Sequence, residues 1–218
     1  MSTEILDLEK LRAQPLERDP FPFVVVSDML KPGAIEAISR DFPEIGDGGV
    51  YPVDILPLGP SMQKLVEEIG GSEFRQVVEE KFGLDLKGRP PMITLRGRSR
   101  EKDGRIHKDS DDKVVSLLLY LNENWPHQTG NLRMLRSPDD LESTVAEIPS
   151  TAGSLVIFEV KPNGWHGHHR FVGERRVLML NYMTGAESHA RELKRHRFSA
   201  KVKNLKQRLG LGPRRQSA

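Results

Sequence analysis

Between Pro91 and Met183 the chain breaks into short apolar runs at close spacing. "MITLRGR", "RIHKD", "KVVSLLLYLN", "NLRMLR", "SLVIFEV" and "RRVLMLNYM" are rich in Val, Ile and Leu. They are separated by "GRSREKDG", "ENWPHQTG", "SPDD" and "KPNGWHGHH", which are built from turn-forming residues. Strand-length runs with no long helical period between them predict an antiparallel sandwich or barrel, a mainly β core over about residues 91–184.

The segment before this core has a different texture. "PFPFVVVSDML" reads as a first buried strand ending in a turn. Ile35, Ile38 and Phe42 follow at helical spacing, with Pro43 as a stop. "EIGDGGVYP" is expected to be a loop. "PSMQKLVEEIGG" and "SEFRQVVEEKFG" then predict two short amphipathic helices. In the second, Ser72 is the expected N-cap, Phe74, Val77, Val78 and Phe82 share a face, and Gly83 ends the helix. Residues 30–85 are therefore expected to form a helical layer, and residues 1–186 a single domain. Residues 187–218 form a separate basic helix and tail. From Glu192, Phe198, Val202, Leu205 and Leu209 recur at helical spacing, and Gly210 ends the pattern. That stripe suits packing on the body, a homodimer contact, or a basic contact to an acidic surface or partner. The final "LGPRRQSA" is expected to be disordered.

Composition narrows the function classes. With no cysteine, disulfide frameworks and thiolate chemistry are excluded. Net charge is +2, but residues 1–186 carry −6 and the rest +8, so no overall basic surface for nucleic acid is expected. The longest apolar runs are too short to span a bilayer. The first twenty residues are charged throughout, unlike a signal peptide. A cytoplasmic protein is expected.

His107 and Asp109 lie two apart, so on a strand they point to one side and can converge on a metal. Alone, such a pair is as readily an exposed charged turn. A second cluster, His166, His168 and His169, lies between two apolar runs. One histidine from it, added to His107 and Asp109, makes two imidazoles and a carboxylate. That is the facial triad of non-haem Fe(II) oxygenases, which leaves positions open for substrate or O₂. A closed zinc site would more often use cysteine. Arg176 opens the next apolar run. It suits either a bidentate contact to a dicarboxylate or a place in a surface pair with Arg175.

"RIHKD", "KVVSLLLYLNENW", "GNLRML", "GSLVIFEV" and "WHGHHRFVGERRVLMLNY" occur in an order and spacing that resemble the Fe(II)/2-oxoglutarate-dependent dioxygenases, in the prolyl 4-hydroxylase-like branch with its bacterial members. The resemblance covers about Arg96 to Met183. It implies a double-stranded β-helix, or jelly-roll, with flanking helices. It implies His107, Asp109 and His166 as iron ligands, and Arg176 as the partner of the distal carboxylate of 2-oxoglutarate. Tyr120 is implied as a hydrogen-bonding residue and Leu132 as an apolar wall of the same pocket. The implied cofactors are Fe(II), 2-oxoglutarate and O₂, with ascorbate as an accessory reductant. The implied reaction hydroxylates an unactivated C–H of a small-molecule or peptidyl substrate, releasing succinate and CO₂. Asp109 favours hydroxylation, since the family's halogenases lack this carboxylate.

Two departures stand out, one of them Gly130-Asn131 in place of the family's usual Gly-Gly before the Leu of "GNLRML". Many members carry a tyrosine about ten residues before the first ligand, where this chain has Gly97 flanked by Arg96 and Arg98. Those arginines are expected to replace it or to face a charged substrate. His168 shares the strand parity of His166, which makes it the alternative distal ligand or a neighbour on the substrate side. The competing reading of the whole chain is a catalytically silent jelly-roll that binds a metal or ligand as a sensor.

Overall fold

The computed structural model describes residues 4–208 of the chain. Strands β1 (Phe23–Val26), β2 (Tyr51–Pro52), β3 (Pro91–Ser99), β4 (Lys113–Tyr120), β7 (Leu155–Glu159) and β9 (Gly173–Met183) make one sheet. Their order is β1-β7-β4-β9-β3-β2, and every pairing is antiparallel. β5 (Leu132–Leu135), β6 (Thr144–Ile148) and β8 (His166–Gly167) form a second, smaller antiparallel sheet in the order β6-β5-β8. Together they make a jelly-roll core. Helices α1 (Leu8–Ala13), α2 (Ala34–Asp41), α3 (Pro60–Gly70) and α4 (Ser72–Phe82) cover the larger sheet.

The apolar runs of β4, β7 and β9 lack a clean alternation because both faces of the large sheet are buried. Val115, Leu117 and Leu119 of β4 face the helices, in one core with Ile38, Leu65 and Phe74. The intervening Leu118 and Tyr120 face the small sheet, where Val156, Phe158, Leu132, Met134 and Ile148 close a second core. Each fully buried Leu, Val or Phe contributes about 1.5–3 kcal/mol. This two-sided burial fixes β4 and β9 at the centre of the molecule. The side of the large sheet that faces the small one is left to form the walls of a cavity.

Local signals act as chemistry requires, with small shifts. Gly83 takes φ 67 and closes α4, its N–H bonding Glu79 O. Ser72 does not cap that helix. The cap is Gly71 and Ser72 is the first helical residue, because the chain turns directly from α3 into α4. Tyr51 and Pro52, expected in a loop, form the edge strand β2. α1 and β6 were not expected: α1 is one short charged helix capped by Asp7, and β6 is mostly half-buried, so neither carries a strong period.

The C-terminal helix α5 (Ala186–Arg208) begins six residues before Glu192. Ion pairs from Arg191 to Asp112 and from Arg197 to Asp54 tie it to the body, and Ser188, Glu192 and Ala200 are buried. Phe198, expected in an apolar stripe, is 69% exposed, so the stripe does not pack the helix at that point. The side chains of Val202, Leu205 and Leu209, and the tail, lie outside the described residues. No helix among the described residues is long and apolar enough to cross a membrane.

Candidate active site

His107 and His166 are brought face to face by the backbone. Each donates its N–H to the other's carbonyl, at 2.9 and 3.0 Å, as an isolated antiparallel bridge. Directly opposed residues on such a pair share a face, and the two rings lie 4.3 Å apart between centroids. Asp109 follows two residues on. Ligand atoms of His107, Asp109 and His166 all lie within 4.8 Å of one another, a spacing that can hold one ion. Gly167 allows this approach: a Cβ there would sit 3.0 Å from Gly104 O and 3.1 Å from the Ile106 backbone.

The donor atoms are prepared for a divalent metal. His107 Nδ1 lies 2.9 Å from Arg105 O, and His166 Nδ1 lies 3.0 Å from Gly164 O. A carbonyl can only accept, so each Nδ1 carries a proton and each Nε2 is the nitrogen left to face a metal. Burial above all holds His166 neutral, its pKa down to about 4. Burial pushes the Asp109 carboxyl up, but the Lys113 charge and hydrogen bonds from Ser116 and Lys113 outweigh it, and it falls to about 2. Lys113 Nζ sits 3.0 Å from this carboxylate. Two imidazoles and one ionised carboxylate fit Fe(II) with open positions.

A cavity of about 320 Å³ opens from this group, walled by Leu118, Leu132, Phe158, Val177 and Met179. Phe158 packs on the His166 ring at 4.9 Å. At the far wall lies Arg175, only 3% exposed. Its Nε donates to Gly130 O at 3.0 Å and its Nη2 to the Tyr120 hydroxyl at 2.9 Å. It has no carboxylate partner among the described residues. Burial chiefly raises the Tyr120 pKa, so its hydroxyl stays protonated beside the guanidinium.

Several expected site residues sit elsewhere, and the sheet explains why. Neighbours on a strand point to opposite faces. On β9 the positions facing the cavity are 175, 177, 179 and 181. Arg176 faces the helices instead. It donates to Ser39 O and Oγ at 3.3 and 3.1 Å, pairs with Glu174 at 2.8 Å and covers the Phe42 ring. The cavity guanidinium is therefore Arg175, nine residues after His166 rather than ten. Arg98 is exposed and lies outside the cavity, beyond an irregularity in the β3–β9 pairing. Arg96 does line it, but its guanidinium is engaged with Asp103 at 2.8 Å. His168 lines the cavity, buried and neutral with its pKa near 4, mainly through burial and then the Arg175 charge. It is not part of the ligand group. Leu132 is in the wall, and Tyr120 stands behind Arg175. Gly97 has no room for a side chain, because a Cβ would lie 2.7 Å from Ile45 Cβ. The sequence reading missed Arg175, Lys113 and Ser116; the last two lie four and seven residues after Asp109, a spacing that matches no motif.

Residues 98–184 match the sequence model of the 2OG-Fe(II) oxygenase superfamily. No curated protein matches the chain. Among solved structures, a Pseudomonas putida prolyl-4-hydroxylase is 18% identical with TM-score 0.55, covering 82% of this chain and 97% of its own. A Phytophthora capsici prolyl 4-hydroxylase is also 18% identical, with TM-score 0.57, covering 85% and 68%. HygX from Streptomyces hygroscopicus, solved with nickel and 2-oxoglutarate bound, is 13% identical with TM-score 0.50, covering 74% and 81%. These similarities concern the fold.

Proposed function

We propose that this chain, whose residues 98–184 form a 2OG-Fe(II) oxygenase domain, hydroxylates an unactivated C–H bond of a small-molecule or peptidyl substrate. The net reaction is R–H + O₂ + 2-oxoglutarate → R–OH + succinate + CO₂, in which every atom is accounted for. One observation carries this reading: Arg175, a buried cation with no carboxylate partner, opens on the same cavity as two histidines and an aspartate.

His107, Asp109 and His166 would hold the Fe(II), which when bound supplies O₂ activation coupled to oxidative decarboxylation of 2-oxoglutarate. The chain's own contribution is placement. Arg175 offers a planar guanidinium in a dry wall, where a carboxylate can pair with it far more strongly than in water. Tyr120 and Gly130 O fix its orientation from behind. Leu118, Leu132, Val177 and Met179 exclude water around the cosubstrate's methylene chain. Ser116 and Lys113 hold the Asp109 carboxylate ionised and aimed at the ligand group.

The test is succinate release from 2-oxoglutarate with Fe(II) under air, across a panel of amino-acid, sugar and peptide substrates. Wild type should release succinate, and His107→Ala should fall to background, a loss of at least about 100-fold. Metal binding without succinate release in any mixture would favour a silent binding protein.

A further inference from the structure

The charge in the cavity does not follow the charge of the molecule. Residues 1–186 carry −6 overall, yet the cavity is lined by five cationic side chains, Arg96, Lys102, Arg105, Lys113 and Arg175, against two carboxylates, Asp103 and Asp109. That is a local excess of +3. Three of the cations are accounted for. Lys113 holds Asp109, and Arg96 shares Asp103 with Arg100 at 2.8 and 3.0 Å. Arg175 is the cosubstrate anchor of the reading above, on which this inference rests. Lys102 and Arg105 remain. Both are exposed at the mouth, and neither has an ion pair among the described residues.

The loop that carries them is not loose. Asp103 is tied to Arg100 through the Arg100 N–H at 2.9 Å as well as the guanidinium, and the His168 N–H bonds Gly104 O at 2.9 Å. Both carboxylates of the turn are engaged, Asp103 with Arg96 and Arg100 and Glu101 with Arg170 at 2.6 Å, so neither pairs with Lys102 or Arg105 on the cavity lining. Loading does not change the balance. A divalent metal adds +2 and 2-oxoglutarate brings −2, so the filled site keeps its +3. Low-dielectric walls focus such a field and raise the local concentration of an oppositely charged ligand.

We propose that the substrate to be hydroxylated carries an anionic group, a carboxylate or a phosphate, and that Lys102 and Arg105 at the mouth of the cavity recognise it. The group docks at the rim while the neutral part of the molecule extends toward the ligand group. Lys102 and Arg105 act as specificity-determining residues; they do not touch the reacting atoms.

The experiment uses full-length protein loaded with Fe(II) and 2-oxoglutarate under nitrogen. Inorganic phosphate, propionate and the uncharged propionamide are titrated in turn, by calorimetry, into wild type and a Lys102→Ala, Arg105→Ala double variant. Wild type should bind at least one anion about tenfold more tightly than propionamide, and the double variant should lose that margin. The preference should shrink as salt is raised. Phosphate binding alone identifies a phosphorylated substrate, and propionate binding alone a carboxylated one. Equal binding of propionate and propionamide with no phosphate binding, or anion binding unchanged in the double variant, would overturn the proposal. 2-Oxoglutarate affinity is measured on the same samples. If wild type fails to bind 2-oxoglutarate, the reading of the site fails; if it binds 2-oxoglutarate but prefers no anion, only this inference fails.

Discussion

At the scale of single residues, two adjacent arginines divide the work. Arg175 stands in the cavity wall with its Nε and Nη2 held by a carbonyl and a phenol, and Arg176 bridges to α2 through Ser39. The Tyr120 hydroxyl is the acceptor that keeps the Arg175 fork in place. Tyr120→Phe leaves that buried donor unpaired, at about 1–3 kcal/mol. The expected result is a lower urea midpoint and 2-oxoglutarate binding weakened roughly tenfold, with metal affinity unchanged. Calorimetry with metal and cosubstrate in separate titrations checks this.

At the scale of elements, the ligand group depends on how tightly β8 and the Ser99–His107 turn approach each other. Gly104 has φ 96, and a Cβ there would lie 2.6 Å from the His168 ring and 2.7 Å from its carbonyl. Gly104→Ala is expected to cost about 2 kcal/mol or more, through backbone strain and a contact that cannot relax. Gly185→Ala, with nothing within 4 Å of the added carbon, is expected to stay within about 0.5 kcal/mol. Denaturant midpoints of the two variants test the contrast.

The same elements explain what could be read from the sequence. The strands of the large sheet announce themselves through Val, Ile and Leu, and His107 with Asp109 through their two-residue step. Which arginine of "ERRVLML" enters the cavity was not legible. Both faces of β9 are buried, so its apolar residues do not mark a parity. The chain between His166 and Glu174 is mostly irregular, so counting along it does not fix which face follows. Arg96 and Arg98 looked equivalent in sequence. Their fates separate only where the β3–β9 register shifts and Asp103 pairs with Arg96.

At the scale of the whole molecule, an acidic body encloses a cationic cavity around a metal-binding group. The described part of the ligand group links β8, in the small sheet, to the turn leading into β4, in the large one. A bound metal therefore bridges the two sheets. Metal at about 100 times its dissociation constant should stabilise the fold by about 2.7 kcal/mol, or roughly 5–10 °C in Tm for a chain of this size. EDTA should reverse the shift, and His107→Ala should not show it.

The central claim is that one cavity holds Fe(II) on His107, Asp109 and His166 and anchors 2-oxoglutarate on Arg175. Anaerobic calorimetric titration of 2-oxoglutarate into Fe(II)-loaded wild type, Arg175→Ala and Arg176→Ala tests it most directly. The account predicts one site per chain in wild type, affinity about 100-fold weaker in Arg175→Ala, and affinity within about threefold of wild type in Arg176→Ala. Loss of binding in Arg176→Ala with retention in Arg175→Ala, or undiminished binding after the metal is removed, would contradict it.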